Sequence, residues 1–195
     1  MTPEIEIIPL SASPDAIGAL ARILIEVVAS GGSVSFMHPL APEAAAAFWA
    51  KSLAAADAGR RIVLGARANG ELAGTVTLDL ETPPNQPHRA DIAKLMTALA
   101  WRGRGVARAL MVEAERLAAA RGRTLLTLDT AEEDGASGLY ERLGYQFAGA
   151  IPDYAFKPLG GLTATRIYFK RIGALTGLGA GPVVGAAASE VVGAA

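Results

Sequence analysis

The chain contains no cysteine. That excludes disulfides, thiolate metal sites and cysteine nucleophiles. Histidine is scarce: only His38 and His88 occur, too few for a histidine-rich metal centre, so no metal is expected. The net charge is −1 and the pI about 6.1. A nucleic-acid binder is normally strongly basic, so that partner class is set aside. The N-terminal MTPEIEII lacks a basic stretch leading into an apolar run and does not read as a signal peptide. An uncharged stretch runs from Ile172 to Ser189, but it is mostly Gly and Ala and has little tendency to insert into a membrane. The expectation is a cytoplasmic protein without a membrane anchor.

What is present suits one domain. The 195 residues are 51% hydrophobic and 19% charged, enough for a sizeable core. Residues 1–172 read as that domain. Residues 173–195 hold six Gly and seven Ala and offer few large side chains to bury, so they are expected to form a flexible tail.

Strand and helix patterns alternate along the domain. Residues 4–9 read as a strand and 14–30 as an amphipathic helix after Ser13. A second helix is expected over 44–58. Residues 61–68 and 71–80 form a hairpin around Asn69-Gly70, with Leu72, Gly74, Val76, Leu78 and Leu80 on one face. A strand over 88–97 is followed by a helix over 106–120 that presents Val106, Leu110, Leu117 and Ala120. A strand at 124–130, a short helix at 137–142 ended by Gly144, and strands at 145–148 and 163–170 complete the pattern. The fold class is α/β (α+β), with a mixed, mostly antiparallel central sheet flanked by helices.

The most informative run is Trp101-Arg102-Gly103-Arg104-Gly105-Val106-Ala107, at a strand-to-helix junction. Two glycines there allow a sharp turn and close approach of a ligand. The first amides of the helix lack intrahelical partners, and with the helix dipole they suit phosphate oxygens. Arg102, Arg104 and Arg108 add positive charge. No Lys-Ser or Lys-Thr follows the glycines, so this is not a Walker A loop. Arg108 stands where a Rossmann fingerprint needs Gly or Ala. What remains is Arg-x-x-Gly-x-Ala.

A second run, Gly138-Leu139-Tyr140-Glu141-Arg142-Leu143-Gly144-Tyr145, follows the strand that carries Leu128-Asp129-Thr130. In order and spacing the two runs resemble the GNAT acetyltransferase family. The segments 31–37, 94–96, 128–130 and 167–170 are similar to members that acetylate a β-lactam toxin. One departure stands out: the family often has a proline shortly before the loop arginine, where this chain has Leu99-Ala100-Trp101.

The resemblance implies acetyl-coenzyme A (acetyl-CoA) as co-substrate. Backbone amides of Arg102, Gly103, Arg104, Gly105, Val106 and Ala107 would bind its pyrophosphate. Leu95, Met96 and Thr97 would pair with the pantetheine. Tyr140 would sit near the thioester sulfur, and Asp129 and Asp91 could take a proton from the amine. The chemistry suits these residue types. A free alkylamine has a pKa near ~10 and must lose a proton before attack, and a carboxylate can accept it. Backbone amides can stabilise the oxyanion, and a tyrosine can protonate the departing thiolate. Plainer roles stand beside these. Tyr140 could instead pack on the sheet, although the flanking Gly144-Tyr145 favour the acid role, Asp129 could serve as a cap, and Asp91 as a solubilising charge at a strand edge. His38 and His88 read as loop or strand-end residues, although the loop of His38 could line the acceptor site. The partner implied is a small-molecule amine. A protein amine as acceptor, a non-catalytic acyl-CoA sensor and a homodimer remain open.

Overall fold

The computed structural model describes residues 4–132 and 137–173. The expected tail from residue 174 onward lies outside the described residues. Seven strands form one sheet: β1 (Ile5–Pro9), β2 (Arg61–Ala68), β3 (Glu71–Asp79), β4 (Arg89–Thr97), β5 (Leu125–Ala131), β6 (Gln146–Phe156) and β7 (Leu162–Arg171). Their order across the sheet is β1-β2-β3-β4-β5-β7-β6. Every neighbouring pair is antiparallel except β4 and β5, which run parallel. The mixed, mostly antiparallel sheet expected from the sequence is therefore present.

Local chemistry explains the elements. The β2–β3 turn has Asn69 at φ 51° and Gly70 at φ 83°, the left-handed pair of a type I′ hairpin. Helix α1 (Pro14–Ala29) starts at Ser13, whose hydroxyl accepts from the Ala16 amide at 3.2 Å, with proline in its first turn. Helix α2 (Pro42–Asp57) also begins on its proline. Helix α3 (Val106–Ala120) and the short α4 (Ser137–Arg142) complete the set.

Two apolar layers cover the sheet. On one face α1 and α2 bury Leu20, Leu24, Val28, Trp49 and Leu53. On the other, α3 buries Val106, Leu110, Met111, Ala114 and Ala118. Strand β2 shows the period-two alternation between them, with Leu64 and Ala66 in the α3 layer and Val63 in the α1–α2 layer. Fully burying a side chain of Leu or Val size contributes about 1.5–3 kcal/mol, so each layer can hold its helices to the sheet.

The structure corrects three expectations. Leu72 does not share a face with Val76 and Leu78. The register passes from Ala66↔Gly74 to Arg67↔Leu72, so Ala73 is an extra residue, and Leu72 packs in the α1–α2 layer. A one-residue bulge reverses the alternation beyond it. Ala120 is exposed, and Met111, Ala114 and Ala118 carry the buried face of α3 instead. The strand expected at 145–148 runs from Gln146 to Phe156. Tyr145 precedes it, buried in the core.

Candidate active site

The cleft arises from a failure of pairing. Strands β4 and β5 pair at Arg89↔Leu125, Ala90↔Leu126 and Asp91↔Thr127, and there the ladder stops. Strand β4 runs on to Thr97 and β5 to Ala131. Strand β4 also carries a bulge. Its register with β3 passes from Thr77↔Ala93 to Thr75↔Met96, so Lys94 and Leu95 together face Val76. Lys94 takes up the distortion at φ 53°. A bulge bends the strand that contains it. Between the two strands lies a cleft of about 990 Å³. It opens at the C-terminal ends of parallel strands, the usual ligand position in an open sheet of this kind.

The glycine turn faces this cleft. After β4 the chain makes a short 3₁₀ turn at Leu99–Trp101 and enters α3 through Gly105 at φ 84°. No side chain caps the α3 N-terminus, which leaves its first amides to other partners. A β-carbon at Gly105 would meet no protein atom within 4 Å. The first turn of α3 is seated closely on β3. A β-carbon at Gly74 would come within 2.7 Å of the Met96 carbonyl oxygen and 2.8 Å of Val106 Cγ1. The turn is also tied to α1, because the Leu99 amide donates to Glu26 Oε2 at 3.2 Å and Arg102 Nη2 to Ser30 Oγ at 3.4 Å.

Most of the candidate residues meet here. Leu95, Met96 and Thr97 line one wall of the cleft. Arg102, Gly103, Gly105, Val106 and Ala107 line its end. Arg104 does not join them: its guanidinium stacks 5.1 Å from the centre of the Trp101 ring. Tyr140 lines the cleft from α4 and is 6% exposed. Its ring packs edge-on against Tyr145 at 6.0 Å and tilted against Tyr168 at 5.8 Å. The helix ends at Gly144, φ 83°, and the Tyr145 amide donates to the Tyr140 carbonyl at 3.0 Å. Both tyrosines of this motif are buried in the core, and Tyr145, unlike Tyr140, does not line the cleft. Burial and the nearby charge of Glu115 push its phenol far above the usual range.

The two carboxylates separate. Asp129 lines the cleft from β5 and accepts from Thr165 Oγ1 at 3.2 Å. Asp91 sits at the paired root of β4 and β5, outside the cleft lining. It accepts from the Arg89 guanidinium and the Thr127 hydroxyl. Both partners bind its Oδ1, and the position keeps Asp91 off the cleft lining. His88 is a strand-end residue whose carbonyl accepts from the Thr124 and Leu125 amides. His38 is exposed, and its amide donates to the Pro158 carbonyl at 3.0 Å, linking the α1–α2 loop to the β6–β7 turn.

Sequence reasoning gave no separate role to Lys94. Its ammonium donates to Ser35 Oγ at 3.0 Å and lies 5.9 Å from the ring centres of both Phe36 and Phe48. Burial lowers its pKa, and the negative charge of Asp129 opposes that shift. The one available signal was a lysine followed directly by the apolar Leu95-Met96 in β4. Among the described residues, no group of three or more His, Cys, Asp or Glu is placed to hold a metal ion. No helix among them is long and apolar enough to cross a membrane.

Known proteins carry the same architecture. The family model for the Acetyltransferase (GNAT) family matches residues 32–145. An N-acetyltransferase from Kribbella flavida superposes with a TM-score of 0.71 at 23% identity, covering 86% of this chain and 98% of its own. A ribosomal-protein-alanine N-acetyltransferase from Brucella melitensis gives a TM-score of 0.70 at 20% identity, over 85% of this chain and 99% of its own. YncA from Salmonella typhimurium, solved with its cofactor acetyl-CoA, gives a TM-score of 0.70 at 16% identity, over 89% and 98%. At these identities the likeness to the solved structures is one of fold. The family match spans more than half of the sequence, from the α1–α2 loop to the end of α4, and the chain belongs to the GNAT acetyltransferase family. That family transfers acetyl groups from acetyl-CoA to amines of small molecules or proteins.

Proposed function

We propose that this protein is an N-acetyltransferase that moves the acetyl group of acetyl-CoA to the amine of a small molecule. One observation carries the reading: the uncapped N-terminus of α3, the unladdered edge of β4, Tyr140 and Asp129 all face a single cleft.

The residues fit the co-substrate. The backbone at Gly103 and Gly105 is unobstructed, and the amides at the start of α3 suit a pyrophosphate. Arg102, Arg108 and Arg142 line the same region and add positive charge. Past Asp91, the β4 edge offers amides and carbonyls to an extended pantetheine, as it would to another strand. Acetyl-CoA supplies an acetyl group activated as a thioester. Asp129 accepts the proton that the amine must lose, directly or through water. Amides of the β4 bulge face the developing oxyanion. Tyr140 gives its proton to the sulfur when the C–S bond breaks, as the new C–N bond completes the amide. No covalent enzyme intermediate is needed.

The family fixes the donor more closely than the acceptor. The segments 31–37, 94–96, 128–130 and 167–170 are similar to the tabtoxin resistance protein, which supports a toxin or antibiotic as acceptor. A protein acceptor is the second reading, since the Brucella melitensis structure with this fold is named for a ribosomal protein. The charge of the cleft weighs against a basic peptide. Among the described residues its charged lining is Lys94, Arg102, Arg108, Arg142 and Lys157 against the acid Asp129. Calorimetry with acetyl-CoA, followed by thiol release on a panel of amines, tests the proposal. Absence of acetyl-CoA binding by the folded protein would refute it.

A further inference from the structure

Among the described residues the cleft is lined by five cations, and part of that charge lies away from the glycine turn. Arg102, Arg108 and Arg142 come from the α3 turn, α3 and α4. Lys94 comes from the β4 bulge and Lys157 from the β6–β7 turn, next to Pro158, which receives the His38 amide. Lys94 is held with unusual care. It and its hydrogen-bond partner Ser35 both have left-handed backbones, φ 53° and 71°. Among the described residues only two other non-glycine residues do, Asn69 in the hairpin turn and Asp153 in β6. Non-glycine residues in that region are strained, and such strain collects at ligand sites. Here two strained residues meet through one bond, at a half-buried ammonium on the cleft wall. The rings of Phe36 and Phe48, themselves packed edge-on at 5.1 Å, flank that ammonium. Nothing in the apolar layers needs a cation there. A lysine ammonium has three donors, and Ser35 takes one of them.

We infer that Lys94, set by Ser35, Phe36 and Phe48, is the anion site for the acceptor, and that the acceptor is an amine bearing a carboxylate, an amino-acid-like molecule. This deepens the proposed function and rests on it. Asp129 on the facing strand takes the amine end and Lys94 the carboxylate end, so the pair reads a molecule with opposite charges at its two ends. Desolvation strengthens this contact, because burial lowers the pKa of Lys94 and a carboxylate partner relieves that cost. Direct repulsion by Lys94 selects against polyamines and lysine-rich peptides.

The test compares free amino acids with their C-terminal amides as acceptors, using thiol release by the wild type, Lys94→Gln and Lys94→Arg. Acetyl-CoA affinity is measured by calorimetry on each. The wild type should favour the carboxylate form by roughly tenfold or more in kcat/KM, the scale of one charge-assisted hydrogen bond. Lys94→Gln should bring that ratio close to one through KM, and Lys94→Arg should restore much of it. Acetyl-CoA affinity should stay near wild type in both, which also shows that they fold. Three results overturn the inference alone: acetyl-CoA binding with equal use of acid and amide, a preference that Lys94→Gln does not reduce, or acetyl-CoA binding with no amino acid accepted. Loss of acetyl-CoA binding in the wild type would instead overturn the proposed function, and this inference with it.

Discussion

Helix α3 has a glycine at each end, and the pair allows a matched experiment. Gly105 stands at its N-terminus with φ 84°, and Gly122 lies just beyond its C-terminus with φ 71°. A β-carbon at either would meet nothing within 4 Å. Alanine at each position therefore has one cost, the left-handed backbone of an L-residue, at roughly 1–2 kcal/mol. For a chain of this size that corresponds to a Tm lower by about 2–8 °C in both variants. Their surroundings differ. Gly105 lines the cleft and Gly122 does not. If the turn cradles a pyrophosphate, the new methyl of Gly105→Ala stands where phosphate oxygens approach. Affinity for acetyl-CoA should then fall at least ~10-fold, a loss of about 1.4 kcal/mol, while Gly122→Ala binds as the wild type does. Thermal denaturation and calorimetry on both variants decide. Equal affinity in the two, at similar Tm losses, would refute the cradle and leave Gly105 as a helix-end residue only.

Three further outcomes are expected. Tyr140→Phe keeps the ring packing against Tyr145 and Tyr168 but removes the hydroxyl, so kcat should fall by about 10²-fold with acetyl-CoA affinity nearly unchanged. Turnover within a few-fold of wild type would make Tyr140 a packing residue. Gly74→Ala forces a β-carbon against Met96 and Val106, so a loss of about 1–3 kcal/mol and a lower Tm are expected; an unchanged Tm would show that α3 does not rest on β3 so closely. Tyr145 has its folded pKa raised, so its contribution to stability is complete below the unfolded value near ~10 and is lost as pH rises above it. Denaturant midpoints of the wild type should drop across that alkaline range, by up to about 1.4 kcal/mol per pH unit from this group, and Tyr145→Phe should flatten the decline.

Features written in local sequence were legible. Asn69-Gly70 specified its hairpin, Ser13-Pro14 its helix start, and the 101–107 glycine turn its place at the cleft. Features set by a partner strand were not. The extra residue at Ala73 and the bulge at Lys94-Leu95 depend on how β2 and β3 pair with their neighbours, and no periodicity in one strand displays that. The two aspartates show the same limit. Both sit on strands beside the cleft, but the ladder between β4 and β5 ends at Asp91↔Thr127, leaving Asp91 below the opening and Asp129 within it. Lys94 was missed for the same reason, since its value comes from Ser35, Phe36 and Phe48, which are distant in sequence.

The break in the β4–β5 ladder would couple the stability of this fold to its proposed co-substrate. Four strands on one side and three on the other share only three residue pairs, and the proposed co-substrate fills the gap as a missing strand would. A molecule that binds only the folded chain adds its binding energy to folding, about 2.7 kcal/mol at a hundred times its Kd. Bound acetyl-CoA would then join the two half-sheets and make the chain harder to unfold. A chain stabilised in this way would lose that reinforcement as the pool ran low, and the fraction exposed to proteolysis would rise.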